Sequence, residues 1–338
     1  MKLETQCLHA GYTPKNGDPR VVPIVQSTTY TFDSTAHIAA LFDMPTEPMY
    51  SRFANPTVDA VEKKIAALEG GVAAMCTTSG QAASLLSILN VCSAGDSFIS
   101  TGTIYGGTVN LFAVTLKRFG IECIFVDQEA SREELQKAIK PNTRCVFGEP
   151  LANPALAVLD IRKFADFAHE NGLPLIIDNT FPTPVLCRPK EFGADVVVHS
   201  TTKYMDGHAV QGGGVIVDCG TFPWDNGKFP EFTEPDESYH GVCYVRDFGS
   251  MAYIIKCRMQ LMRDFGCYPS ATNAFYLNLG LETLAVRMKQ YCVNAQTVAE
   301  FLQGRPEVES VSYPGLETDA YHDRAKTYLP DGCSGVIS

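Results

Sequence analysis

The sequence predicts an α/β fold: a mostly parallel sheet between layers of helices. Three observations carry this. Short apolar runs recur at 72–77, 97–100, 121–126, 145–148, 175–178, 196–199 and 214–217. Runs without strict alternation belong to strands buried on both faces, as in parallel sheets covered by helices. Between them lie helical segments at 58–69 (VDAVEKKIAALE), 81–91, 109–119, 132–139 and 161–171. That alternation is the mark of a doubly wound domain. Finally, 338 residues with 45% hydrophobic and 19% charged are enough for a large core and more than one domain.

Taken in order, residues 1–50 are rich in turn signals: Thr13-Pro14, Asn16-Gly17, Asp18-Pro19 and Thr46-Glu47-Pro48. They read as an extended N-terminal arm. The α/β rhythm then defines a domain over 51–245. After Trp224 it breaks; 229–239 is a polar, proline-bearing loop. Helices are expected at 246–262, 273–290 and 293–303, in a smaller α+β domain over 246–338. The last residues, DGCSGVIS, read as the start of a strand without a partner, so this domain is expected to be incomplete.

Net charge is −11, which argues against a nucleic-acid surface. No run of about 18 apolar residues is present, so no membrane span is expected. The opening MKLETQCLHAG lacks the apolar stretch of a signal peptide, and a cytoplasmic location is expected. Twelve cysteines are scattered with no C-x-x-C pair. They read as reduced, small apolar residues rather than as metal ligands or disulfides. No G-x-G-x-x-G follows a strand, which removes a nicotinamide-binding reading. The GGG at 212–214 precedes a strand and reads as a tight turn.

Ligands of open parallel sheets sit beyond the carboxyl ends of the strands. Three such ends stand out. After 72–77 comes Thr78-Ser79-Gly80-Gln81, opening a helix whose free N–H groups suit a phosphate. After 175–177 comes Asp178, an acid at the end of a buried strand that needs a cationic partner. After 196–198 comes His199-Ser200-Thr201-Thr202-Lys203, a hydroxyl cluster with a lysine at a strand mouth. Together they offer a phosphate site (Gly80, Gln81, Ser200, Thr202), an acid for a protonated ring nitrogen (Asp178) and an amine for an aldehyde (Lys203). Pyridoxal 5'-phosphate has these three handles.

On these residues the chain resembles the Cys/Met-metabolism pyridoxal-phosphate enzymes, which are cystathionine γ-synthase-like and of fold type I. The stretches are YSRFANPT (50–57), TTSGQAA (77–83), TIYGGT (103–108), EPLANP (149–154), IIDNTF (176–181) and HSTTKYMDGH (199–208). The resemblance implies that Lys203 forms the Schiff base and shuttles protons, and that Asp178 pairs with the pyridine nitrogen. It implies that Tyr105 stacks on the ring and that Asn153 lies near the cofactor's 3'-oxygen. Tyr50 and Arg52 would reach the phosphate of a neighbouring subunit's cofactor, implying a homodimer or a homotetramer. Segment 263–288 and loop 235–241 resemble those of O-acetylhomoserine sulfhydrylases. Gly107 stands where methionine γ-lyases of the family often have cysteine. The implied reaction is γ-replacement: sulfide or a thiol displaces acetate from O-acetyl-L-homoserine, giving homocysteine or methionine. Cystathionine γ-synthase and γ-lyase reactions on the same scaffold are the alternatives, as is a chain that binds cofactor without turnover. Family members continue past residue 338, and the arginine for the substrate carboxylate is expected there.

Overall fold

The computed structural model describes residues 1–43 and 47–338. Seven strands form one sheet: β1 (Ala73–Thr77), β2 (Ser97–Thr101), β3 (Glu122–Val126), β4 (Thr143–Gly148), β5 (Leu175–Asp178), β6 (Val196–His199) and β7 (Gly214–Asp218). Their order is β1-β7-β6-β5-β4-β2-β3. Strand β7 runs antiparallel to β1 and β6, and the other pairings are parallel. The carboxyl ends of β1, β2, β4, β5 and β6 therefore meet at one edge.

Both faces of the sheet are covered. Ile177, Val197, Val215 and Val217 join one apolar cluster, while Ile176, Val196, Val198 and Ile216 join the other. Burial on both sides is why the strand sequences hold so few polar residues. The first cluster includes the Pro56–Glu69 helix, and the second includes the Gly80–Leu89 helix. The former starts where Asn55 caps the N–H of Thr57, with proline at the first helical position. It ends at Gly70, whose φ of 73° is the left-handed stop that glycine tolerates.

The arm is more ordered than its turn signals suggest. Leu3–His9 is helical, with Cys7 buried in the first cluster, and Thr35–Asp43 is a second helix. The Thr46-Glu47-Pro48 signal falls partly outside the described residues. The helix expected at 246–262 is interrupted: Tyr244–Phe248 stops at Gly249, with φ 54° and ψ −124°, before Ala252–Lys256 resumes. The helices expected at 273–290 and 293–303 are Ala271–Glu282 and Leu284–Gln303, divided at Thr283 rather than near residue 291. Their buried faces, including Leu277, Leu281, Leu284 and Met288, share the first cluster with the sheet. The tail does find a partner, against expectation. Ser338 and Ser312 exchange two backbone hydrogen bonds, at 2.8 and 3.2 Å.

Candidate active site

The strand ends build one cavity of about 420 Å³. Eight of the ten residues singled out in the sequence line it: Gly80, Gln81, Tyr105, Asn153, Asp178, Ser200, Thr202 and Lys203. Tyr50 and Arg52 do not. The Arg52 guanidinium lies 5.4 Å from the Tyr50 ring centroid and 5.5 Å from that of Phe53, and Tyr50 is exposed.

One end of the cavity is made of neutral hydrogen-bond donors. Ser79 caps the Gly80–Leu89 helix by accepting the Ala82 N–H at 3.1 Å. The N–H groups of Gly80 and Gln81, first in the helix, have no intrahelical acceptor. Gly80 cannot be larger: a Cβ there would lie 2.5 Å from Cβ of Ser200 and 2.9 Å from its Oγ. The absent side chain lets the turn after β1 close on the turn after β6. The Thr202 hydroxyl bridges to Gly213, donating to its carbonyl at 3.1 Å and accepting its N–H at 3.0 Å. The GGG stretch, expected as a tight turn, forms none and runs straight into β7; it is instead a close approach, where a Cβ at Gly213 would meet Thr201 and one at Gly214 would meet Ser79.

The opposite end is acidic. Asp178 was expected to have a cationic partner, yet it makes no ion pair among the described residues. Its Oδ1 accepts both the N–H of Thr180, at 3.1 Å, and the Thr180 hydroxyl. The same hydroxyl accepts the Ser200 N–H at 2.8 Å, so Thr180 links the acidic end to the donor end. Burial pushes the Asp178 carboxyl up, while Thr180 and His199 pull it down. Beside it sits Glu149, 5% exposed, whose Oε1 accepts the Tyr105 N–H at 2.8 Å. Lys203, at the mouth, has no side-chain acceptor among the described residues. His199 faces away, fully buried, with Nε2 2.7 Å from Glu69 Oε1; it ties the sheet to the Pro56–Glu69 helix.

Sequence reasoning missed Thr180 and Glu149. Both lie in stretches that carried the resemblance. The logic that found Asp178, an acid following an apolar strand end, applies equally to Glu149 after CVFG.

The cavity fits pyridoxal phosphate residue by residue. The glycine-tight helix start and the Ser200 hydroxyl suit the phosphate. The Asp178 carboxylate, with no cation of its own, suits a protonated pyridine nitrogen. Lys203 supplies the primary amine for the aldehyde. Such a set defines the chain as a fold type I enzyme of the pyridoxal-phosphate class.

The chain belongs to the family described as Cys/Met metabolism PLP-dependent enzyme, whose model matches residues 4–338. It is 46% identical to an O-acetyl-L-homoserine sulfhydrylase of Leptospira meyeri, over 99% of this chain and 78% of that protein. It is 44% identical to O-acetyl-L-homoserine sulfhydrylase 1 of Thermus thermophilus, over 100% of this chain and 81% of that one. Among solved structures, a candidate O-acetylhomoserine (thiol)-lyase of Campylobacter jejuni superposes with TM-score 0.96 at 36% identity. That match covers 100% of this chain and 84% of the other, and the structure carries N'-pyridoxyl-lysine-5'-monophosphate.

Proposed function

We propose that this chain catalyses γ-replacement on O-acetyl-L-homoserine, with sulfide or a thiol displacing acetate to give homocysteine or methionine. The observation that carries the reading is near-full-length similarity, at 44–46% identity, to proteins named for this reaction. The site agrees with it. Gly107 lies against Tyr105: a Cβ at 107 would come within 2.5 Å of the Tyr105 ring and 3.0 Å of the Gln81 amide. A cysteine at this position would displace both.

Bound pyridoxal phosphate supplies an electron sink for negative charge at the substrate's Cα. The protein's residues do the rest. Asp178 holds the ring nitrogen protonated. Gly80, Gln81, Ser200 and Thr202 hold the phosphate. Tyr105 would stack on the ring, and Asn153 would hold its 3'-oxygen end. The Lys203 amine takes the Cα proton and would hand it to the bound cofactor; neutral again, it takes the second proton from Cβ, with the Tyr105 hydroxyl as its hydrogen-bonding partner in these transfers. The Cγ–O bond then breaks, acetate leaves with the electron pair, and HS⁻ forms the Cγ–S bond as the two protons return. Net, ester and hydrosulfide give thiol and acetate. Tyr50 and Arg52 reach the phosphate of a partner's site in a homodimer or homotetramer, which accounts for their distance from the cavity in their own chain. The twelve free cysteines suit a reducing compartment, the cytoplasm. No helix among the described residues is long and apolar enough to cross a membrane.

Product analysis tests the reading. Holoenzyme given O-acetyl-L-homoserine with and without sulfide is expected to form homocysteine only with sulfide. Formation of 2-oxobutyrate without homocysteine would place the chain among the lyases. Spectral binding of cofactor with neither product would leave a cofactor binder without turnover.

A further inference from the structure

The cavity contains a buried titratable group that the scheme above does not use. Glu149 follows β4, between the turn that carries Tyr105 and the loop that carries Asn153. Its Oε1 accepts the Tyr105 backbone N–H at 2.8 Å, and the backbone N–H of Asn153 lies near enough to the carboxyl to pull its pKa down. The carboxyl, just after β4, thereby holds the turn that follows β2. Tyr105 needs such an anchor: its side chain is half exposed, and no side-chain cap holds the helix start it precedes.

A second carboxylate, Asp178, lines the same cavity. Neither acid has an ion-pair partner among the described residues, and the cavity's only cationic side chain is Lys203. A bound pyridinium brings one positive charge, which Asp178 is placed to take. Two buried carboxylates around a single cation do not both ionise readily.

We propose that Glu149 is a positioning residue that works as a neutral acid: it accepts the N–H of Tyr105, fixes the tyrosine over the cofactor, and leaves the negative charge to Asp178. The proposal rests on the cofactor reading of the cavity, and not on which substrate is used. In support, burial and then the neighbouring Asp178 push the Glu149 carboxyl well above the usual carboxylate range, against the two N–H groups that pull it down. A neutral group costs less to bury here than a charge. It also leaves the field at the pyridine nitrogen to a single carboxylate.

The test uses holoenzyme reconstituted with pyridoxal phosphate, in three forms: unsubstituted, Glu149→Gln and Glu149→Ala. The readouts are the pH titration of the cofactor's visible absorption band and its visible circular dichroism. Glutamine is neutral and keeps an acceptor for the Tyr105 N–H. Glu149→Gln is expected to keep the dichroism and to move the titration midpoint by less than about half a unit. Removing an anion this close to the cofactor would move it by about a unit or more. Glu149→Ala is expected to lose most of the dichroism and raise KM about tenfold, with a smaller change in kcat. A midpoint shift of a unit or more in Glu149→Gln would show the group to be charged and overturn the neutral-acid assignment. Unchanged dichroism and KM in Glu149→Ala would overturn the positioning role. Should Glu149→Ala fail to fold, Tyr105→Phe carries the second arm. The anchor acts on the backbone, so the dichroism of Tyr105→Phe should persist in a Glu149→Gln background, and its loss would overturn the proposal. Failure of the cofactor reading would look different: no visible band would form in any of the proteins.

Discussion

Two buried acidic regions of this molecule are built in opposite ways. In the first, Glu62 sits at the Pro56–Glu69 helix, 6% exposed. Its Oε2 pairs with Arg258 at 2.7 Å and its Oε1 accepts the Cys76 N–H at 2.7 Å. Arg258 also donates to the carbonyls of Phe53 and Ala74. In the second, Asp178 and Glu149 share a cavity with hydrogen-bond donors, and neither acid has an ion-pair partner among the described residues. A buried charge with a complete set of partners holds the fold together. A buried charge left without one, beside empty volume, is a place for a ligand. Asp218 shows that both conditions matter. It is 2% exposed with no ion pair among the described residues, but the N–H groups of Gly220 and Ile254 fill its oxygens. It lies at the carboxyl end of antiparallel β7, at the sheet edge opposite the cavity.

This contrast can be broken at several points. Asp218 gives the largest expected effect. Burial raises its pKa to about 7. The folded state therefore holds a proton that the unfolded chain has released, and stability falls as pH rises from about 4 towards 7. At about 1.4 kcal/mol per unit, the loss is on the order of 4 kcal/mol. Thermal unfolding of the unsubstituted protein should weaken with pH over that window relative to Asp218→Asn, and parallel curves would contradict the assignment. Next, Arg258→Ala should destabilise the protein by about 3 kcal/mol, because it strands a buried carboxylate. Denaturant unfolding measures this; cofactor affinity should be unaffected, and a loss of affinity at unchanged stability would reverse the roles of the two regions. Asp178→Asn should do the converse. It should lower kcat by about 10²-fold through loss of charge stabilisation, with the cofactor-free protein unfolding no earlier than the unsubstituted one. Steady-state kinetics and a melt on the same sample decide it. Smallest is Gly80→Ala, whose methyl group meets Ser200. The Kd for the cofactor should rise about tenfold, equivalent to about 1.4 kcal/mol of overpacking; equal Kd values would show that the turn has room to spare.

Much of the sheet was legible because burial on both faces writes itself into the sequence as apolar runs. All seven strands fall where such runs lie. The direction of β7 was not legible, since GVIVD is buried on both faces and looks the same whichever way it runs. The break at Gly249 was also hidden, because the apolar pattern continues on both sides and a single glycine in a helical run does not announce a positive φ. Leu3–His9 is held by packing against other helices rather than by its own propensity, and a seven-residue segment shows little of that. In the cavity, the lining residues Lys203, Asp178 and Gly80 were found because lysine, aspartate and glycine stand out at the ends of buried strands. Thr180 and Glu149 act on other side chains and backbone groups, and their contacts span turns distant in sequence. Such links become visible only when the strand ends are brought together.

Whether Lys203 holds the cofactor is decided most directly by locating the point of attachment. The protein, reconstituted with pyridoxal phosphate, would be reduced with borohydride, digested and mapped by mass spectrometry. One pyridoxyl-phosphate adduct is expected, on the peptide that contains Lys203. Adducts on other lysines with Lys203 unmodified, or none at all, would contradict it.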